Sequence, residues 1–195
     1  MSFVSRRPAQ SVALAVVASL ALSACAGTIS ARHERERDRD RFDPQAVAWS
    51  KKPGTNAIAG TAELQLTQGQ TKTCAGLEVR LVPDAPYTRD RIAMLYGTAS
   101  EGFVSTDEAR RVQERPGAVV DPAYKGSHKV TTCDGKGRFA FNHLADGSYY
   151  ILAPVVWRKA GAQGTEGGFL MQRVSVRDGE TARLHMSPAT RVSSR

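Results

Sequence analysis

The chain has 195 residues, of which 41% are hydrophobic and only 7% are aromatic, and these values predict one domain with a core of modest size. Its 27 lysines and arginines against 19 aspartates and glutamates give a net charge of +8. An excess of this sign suits anionic lipid headgroups or polysaccharide, and the length excludes a chain of several large domains.

The N-terminus has the pattern of an export signal. Arg6 and Arg7 precede an apolar stretch, 12–22, which is shorter than the roughly 20 residues needed to span a bilayer. The stretch ends in Leu22-Ser23-Ala24-Cys25, which resembles the lipobox of bacterial lipoproteins. The alternative is a plain secretory signal, but such signals more often end in Ala-x-Ala followed by an ordinary residue.

The resemblance to lipoproteins implies that the signal peptide, 1–24, is removed and that Cys25 is acylated with several chains such as palmitate. Two or more chains hold a protein firmly at a membrane, whereas one chain holds it marginally. Ala26 favours the periplasmic face of the outer membrane, because an aspartate there favours inner-membrane retention in Gram-negative lipoproteins. An exported chain does not meet nucleic acid, so no nucleic-acid partner is expected.

The other two cysteines, Cys74 and Cys133, are expected to form a disulfide. Disulfides form and persist in the oxidising compartments outside the cytoplasm. The loop between them holds 58 residues, for which loop-closure entropy gives a stabilisation on the order of 4 kcal/mol. A redox or metal pair is the alternative, but the chain has no Cys-x-x-Cys and no histidine near Cys74.

Residues 25–54 are predicted to form a charged, flexible tether. Within them, 32–41 alternates five arginines with four acids. A segment of such high charge and low hydrophobicity cannot bury enough apolar surface to offset its conformational entropy. An electrostatic contact with headgroups or cell-wall polymer is the alternative role. The C-terminal residues, 188–195, are predicted to be a disordered tail.

Residues 55–187 have the pattern of a β-sandwich. Alternation places Leu77, Val79 and Leu81 on one face of a strand, and 149–157 is an apolar, β-branched and aromatic run typical of a central strand. A glycine-rich loop is predicted over 161–168. About seven short strands are expected in all: 58–66, 77–83, 128–133, 138–141, 149–157, 169–176 and 181–186.

Residues 84–127 lose this alternation and are predicted to form a partly helical insertion between strands. Helices are expected over 88–96 and 106–114. Thr106 is the predicted N-cap of the second helix, because two acids follow it in the first turn. Pro116-Gly117 is expected to end that helix.

Two segments are similar to the carboxypeptidase regulatory-like domains: Thr-Cys-Asp-Gly-Lys-Gly-Arg-Phe-Ala-Phe at 132–141 and Leu-Ala-Asp-Gly-Ser-Tyr-Tyr at 144–150. The resemblance implies an all-β, transthyretin-like (prealbumin-like) or Ig-like sandwich, and it does not cover the insertion. It also implies structural roles for four residues. Two phenylalanines point into the core, a glycine forms a turn, and a buried tyrosine donates a hydrogen bond from its hydroxyl to a backbone group. These are Phe139, Phe141, Gly147 and Tyr149.

No motif in the sequence predicts catalysis, a cofactor or a metal. The four histidines, at 33, 128, 143 and 185, lack the spacing of zinc ligands, and the nucleophile elbow and the acids of a calcium loop do not occur. The chain is therefore predicted not to be an enzyme. A small hydrolase is the least favoured alternative, since it needs a concave site that joins a histidine to an acid.

The sequence favours a membrane-anchored envelope lipoprotein whose sandwich binds or braces an unknown envelope protein or cell-wall polymer. The alternative is a carbohydrate- or peptidoglycan-binding module with an exposed aromatic strip that includes Trp157. The insertion is the predicted contact surface for this partner, because loops on a rigid sandwich often carry function. Tyrosine and arginine, which it contains, are also enriched at binding hot spots. Its aromatic side chains suit packing onto the sandwich equally well. The candidate contact residues are Tyr87, Arg89, Arg91, Tyr96, Phe103, Arg110, Arg111 and Tyr124.

Overall fold

The computed structural model describes residues 41–115, 120–158 and 164–188. The signal peptide, Cys25, the tether up to residue 40, Pro116-Gly117 and nearly all of the predicted tail lie outside these residues. The described part contains nine strands: β1 Asn56–Gln65, β2 Thr71–Thr73, β3 Glu78–Pro83, β4 Glu101–Ser105, β5 Lys129–Thr132, β6 Arg138–Leu144, β7 Gly147–Arg158, β8 Thr165–Val176 and β9 Thr181–Met186.

All seven predicted strands are present, and β2 and β4 are additional. β2 is only three polar residues long, and β4 lies inside the insertion, so neither has an alternating apolar pattern of its own. The predicted glycine-rich loop is partly wrong, because β8 already begins at Thr165 and its glycines pair with Val155 and Val156 of β7.

Helices lie at the positions that the sequence predicts for the insertion. They are α1 Pro86–Tyr96 and α2 Thr106–Gln113, followed by the short α3 Pro122–Lys125. The predicted N-cap of α2 is wrong by one residue. Ser105 is the cap, since its hydroxyl accepts from the backbone N–H of Glu108 while the Glu108 carboxylate accepts from the N–H of Ser105.

The strands form two sheets, as expected for a β-sandwich. In the four-stranded sheet β1 pairs antiparallel with β6 and β2 and parallel with β9. The five-stranded sheet is antiparallel and has the order β4-β8-β7-β3-β5. Apolar side chains from both sheets form one core between them, which includes Ile58, Leu64, Leu81, Ile151 and Leu170.

A disulfide joins the two sheets covalently. Cys74 follows β2, Cys133 follows β5, and the two bond to each other with 5.7 Å between their Cα atoms. This confirms the pairing that the sequence predicts. Both sulfurs belong to the core between the sheets.

The five-stranded sheet also buries its outer face. Val82, Tyr150 and Met171 point away from the first core and form a second core with side chains of α1, α3 and the segment before β1. Strand β7 is consequently buried on both faces, which explains why its sequence is apolar without alternation. The insertion is thus a cover for the outer face of this sheet.

The predicted boundary between the tether and the domain, at residue 54, lies too far along the chain. Residues Pro44–Lys51 form a 3-10 helix that Asp43 caps, and Phe42 and Val47 are buried in the second core. Trp49 packs beside Tyr149, with 5.1 Å between ring centroids. Residues 42–51 therefore belong to the folded domain, because three large apolar side chains in this stretch pack against its helices and strands.

Replacing Phe42 with alanine is expected to lower the free energy of unfolding by about 3 kcal/mol, because the change removes a buried ring and leaves a cavity. Urea unfolding of the exported domain measures the loss. Arg41→Ala, at an exposed neighbouring position, is the control and should leave the midpoint unchanged. Equal urea midpoints for both variants would mean that this segment belongs to the tether and not to the folded domain.

Candidate functional site

Two of the predicted contact residues are core residues. The rings of Tyr87 and Tyr124 pack edge to face at 5.0 Å, and each packs in the same way on Phe42. Their exposed fractions are 5% and 6%. The prediction that Tyr87 and Tyr124 contact a partner is therefore wrong, and they hold the insertion onto the sheet.

Most of the predicted contact arginines already have partners within the domain. The side chain of Asp84 is 4% exposed and accepts hydrogen bonds from Arg89 at 2.6 Å and from Arg173 at 2.6 and 2.8 Å. Arg91 lies 5.1 Å from the centre of the Tyr87 ring, and Arg110 forms an ion pair with Asp107. Burial of the Asp84 carboxylate is compensated by the two guanidinium groups, which link α1 to β8.

Three other predicted contact residues meet in one concave surface, the helix cleft. It lies between α1, β4 and α2 and has a volume of about 400 Å³. Tyr96, Phe103 and Arg111 line it, as do the exposed Met94 and Arg115. The helix cleft is therefore the part of the predicted contact that remains accessible.

A second concave surface, the edge cleft, lies where the sandwich opens between β4 and β9. Its volume is about 360 Å³. Its apolar lining consists of the partly buried Phe103 and of Leu170 and Met186, which are each 3% exposed. Phe103 and Leu170 pair directly across β4 and β8. Polar groups of four residues surround this surface: Glu101, Gln172, His185 and Ser187. An apolar surface with a few polar groups is the usual composition of a small-molecule site.

Phe103 lines both clefts and is held by a close approach to β8. A Cβ atom added to Gly168 would lie 2.6 Å from the Phe103 ring, so only glycine at 168 leaves room for it. The aromatic ring therefore covers a glycine of the neighbouring strand. The two clefts flank β4 and share this residue as a common wall.

The four residues of the recognised motif have structural roles. Phe139 and Phe141 are buried with 6.3 Å between ring centroids. The hydroxyl of Tyr149 donates to the carbonyl of Ala145 at 2.9 Å, as in a tyrosine corner. Gly147 has a φ of +153° and lies against the Trp49 ring, where a side chain would collide.

Trp157 does not form an exposed aromatic strip. It is half-buried against the first core, and its indole N–H donates to the Glu166 carboxylate at 3.1 Å. The Lys72 ammonium lies 5.9 Å from the ring centre. Phe103 and Tyr96 are likewise partly buried, Phe103 against the first core and Tyr96 against the second.

Of the described histidines, His143 lies on β6, His185 lies on β9, and His128 comes just before β5. His185 contributes to the edge cleft, which also contains Glu101, so this cleft has the residue types that a hydrolase needs. However, the His185 ring faces β1, with Nδ1 3.0 Å from the Thr61 hydroxyl and Nε2 3.8 Å from the Glu63 carboxylate. Both ring nitrogens therefore lie beside side chains of β1.

His128 is largely buried against the Tyr124 ring, at 4.6 Å between centroids. Burial, with a smaller effect of the Arg80 charge, lowers the pKa of His128 to about 4. In the unfolded chain the group titrates near 6.5. The neutral form therefore stabilises the fold above pH 6.5, and this contribution is lost as the pH falls from 6.5 towards 4.

We expect the unfolding midpoint in urea to fall more between pH 7 and pH 5 for the wild type than for His128→Phe, because phenylalanine keeps an aromatic ring beside Tyr124 and takes up no proton. His143→Asn, at an exposed histidine, should keep the pH dependence of the wild type. The same pH dependence in all three proteins would contradict a neutral buried His128.

Within residues 41–115, 120–158 and 164–188, no three histidine, cysteine or acidic side chains are grouped as a metal site would require. In the same ranges no helix has the length and apolar character needed to cross a membrane.

No family model and no curated protein matches the sequence. Among solved structures the chain is similar to a putative carbohydrate binding protein of Pseudomonas aeruginosa, with a TM-score of 0.61 and 24% sequence identity. The match covers 75% of this chain and 97% of that protein. The likeness supports the fold class that the two sheets define, a mostly β protein of the sandwich type.

Sequence reasoning did not find the edge cleft. Glu101, Gln172 and Ser187 come from three strands or their ends that are distant along the chain, and none belongs to a motif. One signal was present in the sequence, since Phe103 is an aromatic residue among polar and small neighbours.

Proposed function

We propose that the chain is a lipoprotein of the bacterial envelope whose β-sandwich binds a saccharide polymer without catalysing a reaction on it. We also assign the sandwich to the carboxypeptidase regulatory-like, transthyretin-like class. The inward packing of Phe139 and Phe141 and the Tyr149 hydrogen bond support this assignment, because they are what the sequence motif implies.

The composition of the edge cleft carries the proposal. A sugar ring has apolar C–H faces and a rim of hydroxyl groups that both donate and accept hydrogen bonds. The partly buried Phe103 provides apolar surface for such a face. The Glu101 carboxylate accepts, the Gln172 amide donates and accepts, and the Ser187 hydroxyl does both. The edge cleft thus offers apolar surface and hydrogen-bonding groups that complement an uncharged sugar.

The fold supports the same class of ligand. The similar Pseudomonas protein, a putative carbohydrate binding protein, is matched over 97% of its length, so its whole fold has a counterpart here. Recognition of an envelope protein through the whole insertion is less well supported. Two of the four aromatic residues expected to form that contact, Tyr87 and Tyr124, are buried.

The lipobox at Leu22–Cys25 supports a membrane anchor, and the outer membrane is the proposed location. The folded domain starts near Arg41, so about 16 residues separate it from Cys25. An extended chain of that length spans at most about 55 Å. An anchored domain therefore begins within this distance of the membrane, about half of the reach that a tether ending at residue 54 allows.

Changing Cys25 to serine is expected to release the exported protein from the membrane, because serine removes the acylated thiol. Cell fractionation with detergent phase partitioning measures this. The wild type should enter the membrane pellet and the detergent phase, while Cys25→Ser should remain in the aqueous fraction. Membrane association of both proteins to the same extent would overturn the lipid anchor.

Binding to purified peptidoglycan sacculi tests the saccharide site. At high salt, where exposed charges are screened, the soluble domain 26–195 should pellet with sacculi. The double variant Glu101→Gln/Gln172→Ala should bind about tenfold more weakly, because it loses hydrogen-bonding groups worth together about 1.4 kcal/mol.

The matched control is Glu180→Gln/Gln65→Ala, which makes the same two chemical changes at exposed positions outside both clefts. It should bind as the wild type does. Absence of wild-type binding to sacculi would overturn the polymer proposed here, and equal weakening by both variants would place binding outside the edge cleft.

A further inference from the structure

The helix cleft has a charge pattern that the edge cleft lacks. Arg111 and Arg115 both line it, four residues apart on the same face of α2 and its C-terminal end. Two like charges that line the same cleft repel each other. An anionic group bound beside both guanidinium groups would offset this repulsion.

The other arginines of this region differ in having partners. Arg89 and Arg173 bind Asp84, Arg110 pairs with Asp107, and Arg91 covers the Tyr87 ring. In the described part of the chain, neither the Arg111 nor the Arg115 guanidinium has a hydrogen bond or an ion pair. Both side chains are exposed.

The one acid that lines the helix cleft is engaged elsewhere. The Oε2 atom of Glu108 accepts from the backbone N–H of Ser105 at 3.0 Å and from its hydroxyl at 2.7 Å. These bonds, helped by the nearby Arg111 charge, lower the pKa of Glu108. The carboxylate therefore keeps its hydrogen bonds to Ser105, and in the described part of the chain it forms no ion pair with Arg111, which lies one turn further along α2.

From these observations we infer that the helix cleft binds carboxylate groups carried by the same polymer that occupies the edge cleft. A guanidinium group presents paired N–H donors that match a carboxylate, and such charge-assisted bonds are the stronger ones. The exposed Met94 supplies apolar surface beside the charges. This inference rests on the proposed function and adds to it that the ligand is an acidic saccharide polymer.

The shared wall makes one continuous ligand possible. Phe103 lines both clefts, and β4 is the edge strand of its sheet, so a polymer that crosses β4 contacts both sides. Uncharged sugar units then occupy the edge cleft while neighbouring acidic groups reach Arg111 and Arg115.

The test compares purified sacculi with sacculi whose carboxylates have been converted to carboxamides, at low salt. The wild-type domain should bind native sacculi about tenfold more tightly than amidated ones, the equivalent of ~1.4 kcal/mol. The variant Arg111→Gln/Arg115→Gln should bind both polymers equally, at the level of the wild type on amidated sacculi. Its urea midpoint should match that of the wild type.

The control is Arg177→Gln/Arg183→Gln, which removes the same charge at exposed positions outside both clefts. It should keep the preference for native sacculi. Equal wild-type binding to both polymers overturns the inference and leaves the proposed function intact. A preference that survives in the Arg111 and Arg115 variant also overturns it. If the wild type binds neither polymer, the proposed function and the inference fail together.

Discussion

Burial of strand β7 on both faces is the constraint on which the rest of the structure depends. Tyr149 and Ile151 point into the core between the sheets, and Tyr150, which is fully buried, points to the opposite side. A strand of this composition leaves apolar surface in water unless both faces are covered. The four-stranded sheet covers only one face of β7. The helical insertion and the segment around Phe42 cover the other, and each is therefore needed for the fold.

The insertion that covers the outer face of the five-stranded sheet also forms part of both clefts. The insertion leaves the sheet after β3, packs α1 on its outer face and returns as β4 beside β8. That added edge strand carries Phe103, which lines the cleft between the sheets and the cleft between the helices. Helix α2 follows directly and supplies Arg111. The segment that completes the core thus also supplies the candidate site.

Local patterns predicted the elements well and their partners poorly. The seven strands with alternating or continuous apolar runs, the helices of the insertion and the Cys74–Cys133 bond were all predicted, because each depends on residues close in sequence or on a simple count of cysteines. The end of the tether was missed, since Phe42 and Trp49 are single apolar residues in a charged stretch. The roles of Tyr87 and Tyr124 were missed because composition does not distinguish a buried aromatic from an exposed one.

The disulfide and the edge cleft lie at opposite edges of the five-stranded sheet. Cys133 follows β5, at one edge, and its bond to Cys74 fixes that edge to the other sheet. At the other edge β4 and β9 have no hydrogen bonds to each other among the described pairings, and the sandwich stays open there. Covalent closure on one side holds the two sheets together, so the sandwich can leave a groove on the other side without separating its sheets.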